Sequence, residues 1–422
     1  MTRVRALPIR SRRAPWVGRV GAAIAATLVA AACTGGGDDE VTPTTAASTT
    51  STTTIPRAND GRLVLGIYLP VTGAGSQLGQ PMIAAVEDAV RSINAAGGVL
   101  GSDVRTIQAD EGAGTGLTEL LEEGVDAIVG PASSLTALSE LSPAVDPNTG
   151  VVVCSPSATS LQLDDYPDNT FLFRTAPSDS LQMAAIARQV QRTGARSVAV
   201  GYLDDPYGRG LHEAFLEEIE ERRLAVPVSV GFSGDQTDLS GSAAELLDAE
   251  PGVIVVLGDS DDGGRLIAAL DAAEQESPQV IVNDAIREAR QTIRSLSPDF
   301  RSRLTGVAPL ARGSGDDVPE GFFAAHAVDC VNLIALSVLA AGTDAPRTFR
   351  TNMAAVSADG RGCDTFQTCA LRIEQGLNID YNGASGSAEL SNATGDPIEA
   401  RFESFGFESD GTEVSSFDFV VP

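Results

Sequence analysis

From Arg62 onward, short apolar runs alternate with longer segments whose apolar residues recur every three or four positions. The runs are rich in valine and isoleucine, which is typical of strands buried on both faces. They form a first series, RLVLGIYL, DVRTIQA, VDAIVG and GVVVCS, and a second series, SVAVGYL, AVPVSVGF, GVIVVLG and QVIVN. Helical periodicity marks the segments between them, such as PMIAAVEDAVRSINAAGG, LQMAAIARQVQRTGA, GLHEAFLEEIEERR and GGRLIAALDAAEQE. This alternation predicts an α/β fold with two doubly wound parallel-sheet lobes.

The last third of the chain departs from this rhythm. EGFFAAHAVDCVNLIALSVLAAG predicts a long apolar helix, and a second helix and short strand-like runs follow it. No strong internal repeat is visible in the sequence.

The first 32 residues have the pattern of a secretory signal peptide. Six arginines precede any acidic residue, and the apolar stretch VGAAIAATLVAAAC follows them. Ala31-Ala32-Cys33 resembles a bacterial lipobox, although Ala30 replaces the usual leucine. We therefore expect cleavage before Cys33 and lipidation of its thiol. A retained membrane anchor is the alternative. The motif Ser11-Arg12-Arg13 resembles a twin-arginine signal, so the export route stays open.

Residues 33–60 combine the predicted lipidated cysteine with a tract of threonine and serine. Such a polar, low-complexity tract cannot bury enough apolar surface to fold. It predicts a flexible linker between a membrane anchor and a globular domain, placing the protein outside the cytoplasm in the cell envelope.

The exported part of the chain is strongly acidic. The net charge of the whole sequence is −28, and removal of the six signal arginines lowers it to −34. A chain of this charge repels nucleic acid and anionic membrane surfaces, so neither is an expected partner. Lysine is absent from the sequence, which excludes Schiff-base chemistry and a phosphate-binding P-loop.

Cysteine usage fits an oxidising compartment. Apart from Cys33, the cysteines are even in number: Cys154, Cys330, Cys363 and Cys369. Cys363 and Cys369 are close enough in sequence to close a small loop, which leaves Cys154 and Cys330 for one another. A zinc site is the rival interpretation, and the two histidines, His212 and His326, are too far apart in sequence to favour it. We expect no metal.

Small hydroxyl residues follow two apolar strand candidates of the first series. Ser133 and Ser134 come after VDAIVG, and Ser157 and Thr159 come after GVVVCS. In doubly wound sheets, ligands bind beyond the carboxyl ends of the strands. Ser133 and Ser134 also open a helix, where free N–H groups attract an anion. Simple capping of that helix is an equally good interpretation.

Enzymatic interpretations are weaker. Gly73, Gly75 and Gly79 between a strand and a helix, with Asp110 ending the next strand, resemble a dinucleotide-binding turn, but the spacing differs from that fingerprint. No nucleophile motif lies near either histidine. We therefore expect a protein that is not an enzyme and needs no cofactor.

Seven segments, in order, resemble the leucine/isoleucine/valine-binding proteins, the type I periplasmic solute receptors of ABC importers. They are LPVTGAGSQLGQ, INAAGGVLG, VDAIVGPASS, CSPSATS, FRTAPSDSLQ, VAVGYLDDPYGRGL and IDYNGASGSAELSNATGDP. The resemblance covers residues 62–421. It implies two lobes joined by three crossings that close on a ligand. The implied first lobe is residues 61–178 plus 307–395, and the second is residues 179–306 plus 396–422.

The resemblance also implies a binding site for an amino acid. The ligand carboxylate would meet the hydroxyls of Ser134 and Thr159 and the backbone amides around Ala132, Ser133 and Ser157. Three further residues would complete the site: Asp179 and Asp284 at the ammonium group, and Tyr207 closing over the ligand from the second lobe. Neutral donors suit a buried carboxylate because they need no buried counter-charge.

Two departures from the family pattern leave the ligand open. No aromatic residue lies near Leu78, and DEGAGTGLTELLEEG is shorter than the usual second helix. Branched-chain or other amino acids, amides and small carboxylates all remain candidates. The leading hypothesis is a monomeric lipoprotein that delivers a ligand to an ABC permease, and the alternative is a ligand-sensing receptor domain of the same fold.

Overall fold

A computed structural model of the chain describes residues 59–73, 75–273, 278–310 and 321–421. The predicted signal peptide, the lipidation of Cys33 and the linker up to residue 58 lie outside the described residues and stay predictions.

The first sheet has five parallel strands in the order β2-β1-β3-β4-β5. The strands are β1 (Val64–Leu69), β2 (Arg105–Asp110), β3 (Ala127–Val129), β4 (Val152–Ser155) and β5 (Leu172–Arg174). Helices α1 (Ser76–Ala95), α2 (Gly116–Glu122) and α3 (Ser134–Glu140) connect the strands. This parallel order brings the carboxyl ends of β3 and β4 side by side.

The second sheet has seven strands in the order β15-β14-β10-β9-β8-β6-β7. Its parallel part comprises β6 (Val198–Leu203), β7 (Ser229–Phe232), β8 (Val253–Leu257), β9 (Gln279–Val282) and β10 (Leu304–Pro309). The antiparallel strands β14 (Ala400–Phe407) and β15 (Glu413–Val421) extend it. Its helices are α4 (Asp179–Arg192), α5 (Pro206–Glu221), α6 (Ser240–Asp248), α7 (Ser260–Ala272), α8 (Arg290–Ser295) and α9 (Pro298–Arg303).

The chain returns to the first sheet through α10 (Ala324–Ala341), whose side chains are buried almost all round. Around it lie short elements: α11 (Pro346–Phe349), β11 (Arg361–Cys363), α12 (Phe366–Glu374), β12 (Ile379–Gly383) and β13 (Gly386–Ser387). Of the helices in the described ranges, α10 alone has the length and apolarity to cross a membrane. Its side chains pack in the core of the first lobe, as an all-round apolar helix does inside a large domain.

The predicted strand series and the long apolar helix are confirmed. Four strands were not specified by the sequence pattern: β5, β10, β14 and β15. β5 spans three residues, too few to show a period. β14 and β15 are joined by a short turn in which the amide of Glu408 donates to the carbonyl of Thr412, and they add an antiparallel edge that a βα repeat does not predict.

The predicted lobe limits need adjustment at two points. The limit between residues 306 and 307 falls inside β10, whose pairing with β14 continues to Pro309. At the other limit, Pro397 still bridges to Leu390, and the amide of Ile398 donates to the carbonyl of Glu389. We therefore place these crossings after residues 309 and 398, and the lobe assignment otherwise stays a prediction.

Both predicted disulfides are present. Cys154 at the end of β4 bonds to Cys330 in α10, with a sulfur–sulfur distance of 2.00 Å. Cys363 and Cys369 bond at 2.06 Å and close the small loop between β11 and α12. The first bridge fixes α10 against the strand end that carries the candidate site.

A single carboxylate fixes the start of the described chain. One carboxylate oxygen of Asp344, beyond the end of α10, accepts hydrogen bonds from the amides of Asp60, Gly61 and Arg62 at 3.1, 2.8 and 3.0 Å. Asp344 is buried. The folded domain therefore begins directly after the predicted linker.

Candidate functional site

Ser133 and Ser134 both act within the chain. Ser133 is the N-cap of α3, and its hydroxyl accepts the amide of Thr136 at 3.3 Å. The hydroxyl of Ser134 accepts the amides of Thr159 and Ser160 at 3.1 and 3.2 Å. The capping interpretation is confirmed for Ser133, and Ser134 braces the loops that follow β3 and β4.

The amides of Ala132 and Ser133 hold a carboxylate from the chain itself. They donate to the two carboxylate oxygens of Glu111 at 2.8 and 2.9 Å. Glu111 is buried, and burial raises the pKa of its carboxyl group although these amides act in the opposite direction. Two of the three amides expected to meet a ligand carboxylate are thus engaged internally. Glu111 was not predicted as part of this site, and its place just after β2 on the same sheet edge was the available signal.

Ser157 and Thr159 complete this edge of the first lobe. The hydroxyl of Ser157 donates to the carbonyl of Ala132 at 3.0 Å, so it also braces the two loops. Thr159 meets Asp179: its carbonyl accepts the amide of Asp179 at 2.8 Å, and its side chain lies close enough to the carboxyl group of Asp179 to act on its pKa. Two predicted site residues are therefore in direct contact.

Asp179 is the first residue of α4, which starts the second lobe after the N-cap Ser178. Its side chain is 2% exposed, and its oxygen Oδ2 has no hydrogen-bond partner among the described residues. Burial, and then the charge of Asp284, raises the pKa of Asp179 well above its ordinary value. An unsatisfied buried carboxylate oxygen is costly, so this atom needs an explanation.

The second lobe brings Tyr207 and Asp284 to the same place. Asp284 follows β9 and is buried near Gln182, which lies one turn beyond Asp179 on α4 and whose side-chain amide donates to the carbonyl of Val307 at 3.3 Å. The hydroxyl of Tyr207 accepts the side-chain amide of Asn283 at 3.2 Å. Burial, followed by the charges of Asp179 and Asp284, raises the pKa of Tyr207. The two predicted acids and the predicted tyrosine are therefore neighbours.

Arg174, at the end of β5, holds in place residues 158–160, called the strap here, which carry Thr159 against Asp179. Its side chain is fully buried, and its Nε donates to Asp396 at 2.5 Å. The same guanidinium donates to the carbonyl of Ser160 at 3.0 Å and pairs with Asp164. Asp164 in turn accepts the hydroxyl of Ser178, the N-cap of α4, at 2.8 Å. The position of Arg174 in FRTAP does not by itself predict this role.

Of these residues, Ser160, Asp164 and Asp179 line a cleft of about 580 Å³. One wall is the loop at residues 160–165, the other is the first half of α5, and Asp179 lies between them. Tyr207 also lines the cleft. Its size suits a small-molecule ligand.

The dinucleotide-binding and zinc-site interpretations gain no support from the residues that they invoked. Asp110 accepts the amides of Val71 and Gly112, both at 2.9 Å, so it organises the glycine turn that resembled a dinucleotide fingerprint. In the described ranges of the chain, no group of His, Cys, Asp and Glu side chains is arranged to hold a metal ion. His212 stacks on Tyr202 in the second lobe, and burial of His326 in α10 lowers its pKa to about 4.

Comparison with known proteins gives the same fold and family. The model of the periplasmic binding protein family matches residues 63–373, more than half of the chain. A substrate-binding protein of a chemotactic signal transduction system from Halobacterium salinarum is 26% identical over 78% of this chain and 84% of its own length. A leucine-, isoleucine-, valine-, threonine- and alanine-binding protein from Pseudomonas aeruginosa is 25% identical over 71% of this chain and 82% of its own length.

Solved structures with low sequence identity share the fold. A branched-chain amino acid transporter substrate-binding protein from Streptococcus pneumoniae, in complex with isoleucine, matches 85% of this chain and 99% of its own, with a TM-score of 0.64 and 19% identity. An ABC transporter substrate-binding protein from Desulfitobacterium hafniense, in complex with leucine, matches 84% and 100%, with a TM-score of 0.66 and 19% identity. The fold is the type I periplasmic binding protein fold, and the chain belongs to the periplasmic binding protein family.

Proposed function

We propose that this protein captures a small ligand, a branched-chain or related amino acid, between its two lobes and delivers it to an ABC permease, without acting as an enzyme. The observation that carries the proposal is the buried, unpartnered carboxylate oxygen Oδ2 of Asp179, a residue that lines the cleft. An ammonium group supplies up to three N–H donors. It would satisfy this oxygen and offset the charges of Asp179 and Asp284, each of which carries a raised pKa.

The ligand carboxylate has fewer donors than the sequence suggested. Glu111 already takes the amides of Ala132 and Ser133. The next amide of α3 belongs to Ser134, which lies in the first helical turn and has no acceptor within the helix. The hydroxyl of Ser134 accepts two amides and still has its own proton to donate. We therefore assign the carboxylate to Ser134 and the adjacent loop at Thr159.

The names of relatives support an amino-acid ligand. The Pseudomonas relative is named for five aliphatic or hydroxyl amino acids, and two solved structures of the same fold hold isoleucine and leucine. We place the protein in the cell envelope as a monomer tethered through a lipid on Cys33. Binding would draw the two lobes together, because each contributes contacts that form fully only when they close.

Calorimetry with two matched variants tests the binding site. A panel of amino acids first identifies a ligand for the parent protein. Asp179→Asn removes one charge-assisted hydrogen bond and should weaken binding by about 1.5–3 kcal/mol, or roughly ten- to a hundredfold. Thr159→Val should also weaken binding, since it removes the hydroxyl that lies beside Asp179.

Asp103→Asn is the matched control, because Asp103 is an exposed aspartate in the turn before β2. It should leave the affinity unchanged. Unchanged affinity in both Asp179→Asn and Thr159→Val would place the ligand elsewhere and overturn the proposal.

A second function is favoured by one relative, whose printed name assigns it to a chemotactic signal transduction system. In that case the closed protein would present its ligand to a membrane receptor. Permease genes beside the gene for this chain would support transport, and a neighbouring transducer gene would support sensing.

A further inference from the structure

One buried side-chain amide links three loops at the carboxyl edge of the second sheet. Asn283 directly follows β9 and is fully buried. Its Oδ1 accepts the backbone amide of Gly258, the residue after β8, at 3.1 Å. Its Nδ2 donates to the hydroxyl of Tyr207, at the start of α5 beyond β6, at 3.2 Å. Because β6, β8 and β9 are neighbours in the sheet, this single side chain ties together the segments that follow three adjacent parallel strands.

The orientation of this amide group is fixed by its partners. The backbone N–H of Gly258 can only donate, so it requires the side-chain oxygen of Asn283 and leaves the nitrogen facing Tyr207. The oxygen of the Tyr207 hydroxyl therefore accepts a hydrogen bond. Within the described ranges this is the one hydrogen bond of the hydroxyl, so its own proton is left to donate.

Tyr207 belongs to the wall of the ligand cleft and keeps its proton. It lines the cleft together with Asp179. Burial, followed by the charges of Asp179 and Asp284, raises the pKa of Tyr207, so its hydroxyl stays a donor at neutral pH. A donor that is ordered before the ligand arrives lowers the entropic cost of binding. The hydroxyl is thus prepared to meet a hydrogen-bond acceptor in the cleft.

Asn94 in α1 shows what a structural asparagine does in this protein. Its Nδ2 donates to the carbonyl of Val104 at 3.0 Å, and its Oδ1 accepts the amide of the same residue at 2.8 Å. Both ends of that amide therefore satisfy backbone groups before β2. Asn283 satisfies one backbone group and uses its donor on a side chain of the cleft wall. That difference separates a role in the site from a role in the fold alone.

We propose that Asn283 is a positioning residue for ligand binding, which holds the Tyr207 hydroxyl as a hydrogen-bond donor to an oxygen atom of the ligand. This inference rests on the proposed function, because the ligand must occupy the cleft that Tyr207 and Asp179 line. Asn283 touches no ligand in this arrangement and acts through Tyr207.

A double-mutant cycle on ligand affinity tests this inference. The probe is the one of the twenty standard L-amino acids that binds the parent protein most tightly in calorimetry. Tyr207→Phe removes the hydroxyl, and Asn283→Leu replaces its partner by an apolar group of the same branched shape. Each should weaken binding about three- to tenfold, the effect of one neutral hydrogen bond. The double variant should bind no more weakly than the weaker single variant, because Asn283 acts only through the hydroxyl.

The matched control is Asn94→Leu, which removes two hydrogen bonds to the backbone in the first lobe. It should lower the melting temperature and keep the affinity of the parent. If Asn283→Leu does not give the far-UV circular dichroism spectrum of the parent, Asn283→Ala takes its place in the cycle, because it leaves room for water at Gly258.

Two results would overturn the inference and leave the proposed function standing. One is unchanged affinity in the Asn283 variant. The other is a pair of losses that multiply in the double variant, which would show that Asn283 acts on the shape of the lobe and not on the hydroxyl. Failure of all twenty amino acids to bind the parent protein would overturn the proposed function, and this inference with it.

Discussion

Replacement of Arg174 by methionine should destabilise the protein more than any exposed charge deletion. The guanidinium is fully buried and bridges two carboxylates, Asp396 and Asp164. It also donates to the carbonyls of Ala158 and Ser160, the two ends of the strap in front of Asp179. Methionine keeps the aliphatic volume but supplies no donor.

The magnitude follows from the exposure of the two carboxylates. The side chain of Asp396 is 11% exposed, so without Arg174 it becomes a buried charge with no cation beside it. Asp164 is 30% exposed and keeps its hydrogen bond from Ser178. Because solvent screens its charge, the loss of its ion pair with Arg174 adds little to the lost stability. Removal of one partner of a buried ion pair costs about 3–5 kcal/mol, and we expect Arg174→Met to lower the free energy of unfolding by that amount.

Urea unfolding followed by far-UV circular dichroism measures this change, because the single tryptophan, Trp16, lies in the predicted signal peptide. The midpoint should fall with an unchanged m value. Adding Asp396→Asn to Arg174→Met should restore part of the stability, since it removes the buried charge. Arg91→Met, which breaks an exposed pair with Asp88, is the control and should not move the midpoint. A loss below about 1 kcal/mol, or no recovery in the double variant, would refute this account of Arg174.

The remaining predictions concern three carboxylates and one thiol. Because burial raises the pKa of Asp179, the native state holds its proton more tightly than the unfolded chain, and ionisation costs stability as the pH rises above about 4. Asp179→Asn should therefore raise the melting temperature at neutral pH and flatten this decline, and calorimetric melting curves showing no gain would contradict it. Glu111→Ala leaves the buried amide of Ala132 and the partly buried amide of Ser133 without acceptors and should lower the free energy of unfolding by about 1–3 kcal/mol, whereas an unchanged unfolding midpoint would show that water replaces the carboxylate. Asp344→Ala should increase hydrogen exchange at residues 60–62 without changing ligand affinity, and unchanged exchange would mean that other contacts hold this segment. Cys33→Ala should release the protein from the membrane or leave the precursor uncleaved, and fractionation showing a processed, membrane-bound mutant would disprove lipidation.

The architecture was predictable because its signals are local. Continuous valine and isoleucine runs such as VIVVL can be buried on both faces, and the helices between them have a clear apolar stripe. The strand-end rule then placed Ser134 and Thr159 on one edge, where the structure has them in contact through the hydroxyl of Ser134. The antiparallel strands β14 and β15 were less accessible, because β14 pairs with β10 across about a hundred positions and β15 joins the sheet through β14.

The internal partners of the site were not predictable in the same way. Glu111 reaches the amides of Ala132 and Ser133 across the sheet edge, and no spacing in the sequence announces that contact. Arg174 reaches Asp396 from more than two hundred residues away. Sequence reasoning found which residues lie at the edge, but which donors are already engaged depends on side-chain directions that only the folded chain fixes.

Two buried aspartates show how structural and binding roles can be told apart in this protein. Asp329 in α10 accepts four hydrogen bonds on its two oxygens, from the hydroxyl of Tyr381, the amide of Ala384, and the amide and hydroxyl of Ser385. Asp179 is equally buried, but its Oδ2 has no donor in the described part of the chain, and the residue lines a cleft. Burial raises the pKa of both carboxyl groups, so the cost of the charge is present in each. Asp329 shows that this fold can satisfy a buried carboxylate completely. The unsatisfied hydrogen-bond acceptor of Asp179 therefore points to a donor that arrives with the ligand.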